Sequence, residues 1–88
     1  MQCNVKFYGI VQGVGFRERT RRMAKSLKVK GWVRNLDDGS VEAMMQGSPE
    51  SVEALINYCT SQIPNALVTD IEKKYMEEEE FEDFKILK

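Results

Sequence analysis

The spacing of apolar residues changes halfway along the segment QCNVKFYGIVQGVGFRERTRRMAKSL, residues 2–27. From residue 2 to residue 9 apolar side chains alternate with polar ones, which predicts a strand with one buried face. From Phe16 to about Lys28 the inward positions are spaced by three and four residues, which predicts an amphipathic helix. The inward residues are Cys3, Val5 and Phe7 in the strand and Phe16, Thr20, Met23, Ala24 and Leu27 in the helix. The segment therefore predicts a strand and a helix joined by a short loop.

The next segment predicts a β-hairpin. One strand is expected from about residue 30 to residue 36, and a returning strand from residue 41 to residue 46. Between them, DDGS at residues 37–40 is a turn signal, because Asp-Gly supplies a residue that accepts positive φ. The inward residues of the returning strand are Val41, Ala43 and Met45.

A second helix and two strands complete the predicted domain. Ser48 suits the N-cap and Pro49 the first helical position, and Val52, Leu55, Ile56 and Cys59 would face inward. A strand at 66–75, a solvated acidic turn at 77–80 and a short edge strand at 81–87 follow. This order predicts an α+β fold of the ferredoxin-like split βαβ type (βαββαβ), with two helices on one face of an antiparallel sheet. We expect a single domain over residues 1–88.

Composition favours a soluble cytoplasmic protein. The chain is 42% hydrophobic, as in ordinary globular domains, and no apolar run approaches the roughly 18 residues of a membrane-spanning helix. The N-terminal residues lack the apolar region of a signal peptide. We therefore expect cytoplasmic localisation, a monomer and no membrane partner.

The cysteine and histidine content restricts the chemistry. Cys3 and Cys59 are the only cysteines, and we expect reduced packing residues, with a disulfide between them as the alternative. Because the chain has no histidine and no clustered thiols, we expect no zinc or other transition-metal site. Any catalysis must also proceed without an imidazole base, which excludes most hydrolase mechanisms.

Charge is unevenly distributed along the chain. Residues 1–44 hold nine Lys/Arg and four Asp/Glu, whereas residues 45–88 hold four and ten. The positive excess indicates either a solvated helix face or a positive field around an anion site. The net charge of −1 argues against a nucleic-acid partner. An RNA-binding module of the same fold is an alternative, but the outward positions of the third strand hold no aromatic residue on which a base would stack. They are Glu42, Met44 and Gln46.

The loop at residues 9–17, GIVQGVGFR, predicts a phosphate cradle. Gly13 and Gly15 permit a tight turn with open N–H groups, the following helix contributes its N-terminus, and Arg17 adds a donor fork. The P-loop is excluded, since no lysine and hydroxyl residue follow in register. A dinucleotide fingerprint from Gly13 requires a glycine where Glu18 stands. The alternative is a loop that only shapes a tight turn.

Asn35 is the second candidate, at the end of the strand KGWVRN. Asparagine beside a turn is commonly a capping residue, which is the alternative here. Its amide also accepts a hydrogen bond from water and donates one to an oxyanion.

Together these segments resemble the acylphosphatase family. The resemblance rests on YGIVQGVGFR at 8–17, GWVRN at 31–35 and DGSVE at 38–42, and it extends over essentially the whole chain. It implies hydrolysis of an acyl phosphate to carboxylate and inorganic phosphate by in-line attack of water, without metal or cofactor. It places the phosphate-binding arginine at Arg17 and the water-orienting asparagine at Asn35. The implied phosphate-binding loop consists of Gln12, Gly13, Val14, Gly15, Phe16 and Arg17.

The chain departs from the family pattern at four places. They are Ile10, Leu36, Ile63 before Pro64, and the end Leu87-Lys88, which lacks a terminal arginine. None removes a proposed catalytic group. A phosphate-binding domain without turnover remains the alternative, as does the acylphosphatase-like domain of a larger carbamoyl-phosphate-handling protein. We expect an independent enzyme, since the 88 residues hold one such domain.

Overall fold

The computed structural model describes residues 1–87, so that Lys88 of the predicted domain lies outside the described residues. Seven elements follow one another along the chain. They are β1 (Gln2–Ile10), α1 (Phe16–Ser26), β2 (Lys30–Asn35), β3 (Val41–Gln46), α2 (Pro49–Ser61), β4 (Leu67–Met76) and β5 (Phe84–Ile86). Over residues 1–87 neither helix has the length and apolar character needed to cross a bilayer.

The five strands form one sheet in the order β4-β1-β3-β2-β5. β1 pairs antiparallel with both β3 and β4, and β2 pairs antiparallel with β3. β5 pairs in parallel with β2, with Gly31 opposite Phe84 and Val33 opposite Ile86. The expectation of a purely antiparallel sheet was therefore wrong. β4 ends on the side of the sheet where β2 begins, and the link between β4 and β5 crosses the sheet there, so β5 runs in the direction of β2.

The link from β4 to β5 is exposed but held in place. The carboxylate of Glu78 lies 2.6 Å from the N-terminal amine of Met1. The side-chain amide of Gln46 donates to the carbonyl of Glu79. The acidic run at residues 77–80 is solvent-exposed, as expected from the sequence, and is attached to the end of the sheet. The last strand is also shorter than expected and begins at Phe84.

The core lies between the sheet and the two helices. α1 packs on β2 and β5, α2 packs on β1 and β4, and the helices contact each other. The predicted inward faces of β1, β3 and α2 are confirmed as buried, and α1 buries Phe16, Thr20 and Ala24. Met23 and Leu27, also predicted to face inward, are only partly buried but pack against the core. Cys3 and Cys59 are free, buried packing residues, and burial raises the pKa of Cys59 to about 12. This packing fixes the start of α1 beside the end of β2.

Candidate active site

A cavity of about 220 Å³ lies where α1 begins and β2 ends. Its walls bring together the loop after β1, the first turn of α1 and Asn35. The lining residues are Val11, Gly13, Gly15, Phe16, Arg17, Glu18, Asn35 and Ile86. Arg17 and Asn35, which the sequence placed in one site, therefore line the same cavity.

The loop reaches α1 through two glycines in the left-handed region. Gly13 and Gly15 both have φ of 76°, and Gly15 is the N-cap residue of α1. A Cβ at either position would meet no atom within 4 Å, so backbone conformation and not crowding favours glycine here. Gly15 supplies no side-chain cap to the helix. The turn consequently leaves the start of α1 open toward the cavity.

The amide groups of this turn lack acceptors. The first backbone hydrogen bond into α1 runs from the Arg19 N–H to the Gly15 carbonyl at 3.1 Å. Within residues 1–87, the N–H groups of residues 13–18 donate to no other group of the protein. Such N–H groups, together with the positive end of the helix dipole, form a site for an anion.

The cation and the carboxylate at the site are held apart. Glu18 accepts two hydrogen bonds from Arg21, at 2.6 and 2.7 Å, and lies 3.5 Å from Arg22. The hydrogen bond from Arg21 is the main cause of a lowered pKa at Glu18. In the part of the chain that the structure describes, Arg17 forms no ion pair. Its guanidinium is therefore available to an anionic ligand.

Asn35 carries an unsatisfied polar atom. Its Oδ1 is buried and has no hydrogen-bond partner among residues 1–87. Buried side-chain oxygens are hydrogen-bonded in most proteins, because an unpaired one costs free energy. An acceptor of this kind at the cavity is suited to a water molecule or another donor that enters with the substrate. Among residues 1–87, no group of three acidic or thiol side chains is arranged to ligate a metal ion.

The side chains of the other predicted loop residues make contacts within the protein. The Phe16 ring packs on Phe7, with centroids 5.3 Å apart, and the Val14 side chain packs against the core. Gln12 does not line the cavity. Its Nε2 donates to the carbonyls of Leu36, at 2.8 Å, and Ser40, at 3.0 Å.

Three lining residues were not predicted as part of the site. Val11 is a buried residue that forms part of the floor. Ile86 reaches the cavity because β5 lies beside β2, and the antiparallel arrangement expected from the sequence did not place it there. Glu18 was recognised only as a residue that breaks a glycine motif, although its position next to Arg17 was a usable signal.

Comparisons with known proteins show the family to which the chain belongs. The family model described as acylphosphatase matches residues 3–86. A curated acylphosphatase from Thermococcus kodakarensis is 49% identical over 87 residues, which cover 99% of this chain and 96% of the relative. One from Thermoplasma volcanium is 49% identical over 82 residues, covering 93% and 91%. The crystal structure of acylphosphatase from Bacillus subtilis superposes with a TM-score of 0.94 at 33% identity, covering 99% of this chain and 98% of that one. The chain belongs to the acylphosphatase family, whose activity is the hydrolysis of acyl phosphates.

Proposed function

We propose that the first turn of α1 binds the phosphoryl group of the acyl phosphate and that Asn35 directs the attacking water. One observation carries this proposal: the residues that line a single cavity include open amides, a guanidinium and a buried amide oxygen that have no partner among residues 1–87. Phosphoryl transfer depends mainly on positioning and on stabilising charge, and this set of groups supplies both.

The substrate itself reduces the demands on the protein. An acyl phosphate leaves as a carboxylate, which is a good leaving group and needs no general acid. In the proposed step the water oxygen forms a bond to phosphorus while the bond from phosphorus to the acyl oxygen breaks. The electron pair of that bond departs with the carboxylate, and a phosphoryl oxygen accepts the water's proton. The products are the carboxylate and inorganic phosphate, and the step uses neither imidazole nor metal.

Arg17 and the amides of residues 13–18 stabilise the charge on the phosphoryl oxygens. The amides are fixed by the helix, so they need little reorganisation during the reaction. Arg17 contributes a full charge and paired donors that match phosphate geometry. Because Arg21 and Arg22 hold Glu18, its carboxylate does not compete for the Arg17 guanidinium.

Asn35 acts on the water. Its Oδ1 accepts a hydrogen bond from the water and turns an oxygen lone pair toward phosphorus, while Nδ2 is a donor for a phosphoryl oxygen. Asn35 lies at the end of a central strand, so its backbone is rigid compared with a loop residue. The nucleophile and the phosphoryl group are thereby held by different elements of the fold.

Replacing Arg17 and Asn35 singly tests these roles. For Arg17→Ala we expect a loss of about 3–4 kcal/mol of transition-state stabilisation and weaker inhibition by inorganic phosphate. For Asn35→Ala we expect a comparable fall in kcat with phosphate inhibition largely retained. The measurement is hydrolysis of benzoyl phosphate in the presence of a chelator.

Arg19→Ala is the matched control, since it removes the same charge from an exposed position of α1 outside the cavity. Near wild-type turnover in either site variant would refute the role assigned to that residue. Phosphate binding by the wild type without turnover would instead favour a binding domain.

We also propose that the protein is a cytoplasmic monomer without a nucleic-acid partner. Two free, buried cysteines suit a reducing compartment. The outward Glu42 carboxylate is occupied by Arg34 and Asn4, and the outward positions of β3 hold no aromatic residue on which a base would stack. Sedimentation velocity of the full chain, alone and with single-stranded RNA, tests the monomer and the absence of RNA binding.

A further inference from the structure

The two halves of the site belong to separate parts of the chain. The phosphate-binding turn follows β1, whereas Asn35 ends β2, immediately before the hairpin turn. In-line attack requires a fixed distance and angle between phosphorus and the water oxygen. A contact that joins the turn to the hairpin would therefore control the reaction geometry without touching the substrate.

Gln12 makes such a contact. Its side-chain amide donates to the Leu36 carbonyl at 2.8 Å and to the Ser40 carbonyl at 3.0 Å. An amide NH₂ has two hydrogens, so both are used in these bonds. Leu36 follows Asn35 directly, and Ser40 closes the same turn from the other side, where its carbonyl accepts the Leu36 N–H at 2.9 Å. One side chain thus binds both ends of the hairpin turn.

We propose that Gln12 is a positioning residue that holds the phosphate-binding turn at a fixed distance from Asn35. This inference rests on the proposed roles of Arg17 and Asn35. The Gln12 side chain has no free N–H with which to bind phosphate, so any direct contact from this residue comes from its backbone. The predicted phosphate contact of Gln12 would then come from its backbone, while its side chain joins the two halves of the site.

The hairpin turn is held by hydrogen bonds of its own, so it can serve as the anchor. The Asp38 carboxylate accepts a hydrogen bond from the Ser40 N–H at 2.9 Å, and the Gly39 N–H donates to the Leu36 carbonyl at 3.2 Å. Both carbonyls that Gln12 binds thus keep a backbone partner when Gln12 is replaced. The turn should therefore retain its shape, and the loss should appear in the position of the loop relative to Asn35.

The test is Gln12→Met, which keeps the length of the side chain and removes its two donors. We expect kcat for benzoyl phosphate to fall by roughly ten- to a hundredfold, the range that displacements near 1 Å produce. Inhibition by inorganic phosphate should change less than about twofold, since the amides and Arg17 stay in place. Gln62→Met, at an exposed glutamine after α2, is the matched control and should leave both quantities unchanged.

A double-mutant cycle with Asn35→Ala separates positioning from general stability. If Gln12 acts through the placement of Asn35, adding Gln12→Met to Asn35→Ala should lower kcat little further. Additive losses, or unchanged kcat in Gln12→Met, would overturn the inference while the Asn35 role stands. Weaker phosphate inhibition in Gln12→Met would make this side chain a phosphate ligand instead and would also overturn it. A fully active Asn35→Ala would refute the proposed function itself, and the inference with it.

Discussion

Glu18 and Arg17 are neighbours of opposite charge at the cavity, and the protein keeps their charges apart. The Glu18 carboxylate forms a bidentate ion pair with Arg21, three residues later in α1. A carboxylate that was free at this position would compete with the phosphoryl group for Arg17 and would repel it. Arg21 is not among the lining residues, but we expect it to influence the positive charge at the cavity through its ion pair with Glu18.

Arg21→Gln should raise KM for an acyl phosphate and the inhibition constant of inorganic phosphate together, by roughly two- to fivefold for an exposed pair. The reason is that Glu18 would then be free to approach Arg17. The effect should shrink at high ionic strength, and kcat should change little. Steady-state kinetics at two salt concentrations provide the measurement.

Arg22→Gln is the control, because it removes the same charge from the longer contact with Glu18 at 3.5 Å. We expect a smaller rise than in Arg21→Gln. Equal rises in the two variants would mean that net charge, and not the freeing of Glu18, weakens substrate binding.

At the scale of elements, the two helices begin in different ways. α2 starts at Ser48, whose Oγ accepts the Ser51 N–H at 3.2 Å, with Pro49 in the first turn. α1 starts at Gly15, which has no side chain with which to cap the helix. The uncapped helix is the one at the cavity, and the amides that a cap would occupy are those that we propose bind the phosphoryl group. In this proposal, capping serves stability in α2, and the lack of a side-chain cap serves phosphate binding in α1.

Ser48→Ala should therefore destabilise the fold by about 1 kcal/mol, the usual effect of losing an N-cap. Activity at a temperature well below the unfolding midpoint should be unchanged, because α2 does not line the cavity. Urea unfolding together with benzoyl phosphate hydrolysis measures both. In the control Ser61→Ala, the lost hydroxyl only donates back to the Asn57 carbonyl at the other end of α2. A loss in Ser61→Ala equal to that in Ser48→Ala would contradict the capping role.

The elements also show how much of the fold and the site can be predicted from the sequence. Periods of two and of three to four residues are local properties, and they predicted β1, α1 and α2 with their inward faces. Motif resemblance then paired Arg17 with Asn35. The direction of β5 depends on a link that crosses the sheet, and three residues carry too little pattern to show which strand they join. Ile86 escaped prediction for that reason, and the contact of Gln12 with the hairpin escaped because it joins residues 24 and 28 positions apart.

Across the whole molecule, the fold stabilises the charged form of several carboxyl groups. Hydrogen bonds lower the pKa of Asp38, chiefly from the Ser40 hydroxyl, and of Asp83, chiefly from a backbone N–H. The pKa of Glu18 is also lowered, chiefly by its hydrogen bond from Arg21. These groups lie in different parts of the chain, so the sensitivity to acid is distributed over the molecule.

Glu42 is another carboxyl group with a lowered pKa, and its hydrogen bonds link the three central strands. It accepts hydrogen bonds from Arg34 of β2 at 2.8 Å and from Asn4 of β1 at 3.1 Å. Burial acts to raise the pKa of Glu42, but the hydrogen bonds from Arg34 and Asn4 outweigh it and lower the pKa. Protonation of Glu42 would weaken contacts that hold β1 and β2 to β3.

Stability should consequently depend on pH only outside the neutral range. The carboxyl pKa values are lower in the folded than in the unfolded chain, so the unfolded chain binds more protons in acid, and stability falls as pH drops below about 4.5. The pKa of Cys59 is raised to about 12, so the unfolded chain loses this proton first, and stability falls again as pH rises above about 8.5. With no histidine in the chain, we expect the free energy of unfolding to be nearly constant between these limits. Urea unfolding at a series of pH values measures this free energy. Asp38→Asn should reduce the acid slope and leave the alkaline slope intact, whereas a steep change between about pH 6 and 7 would contradict the assignment.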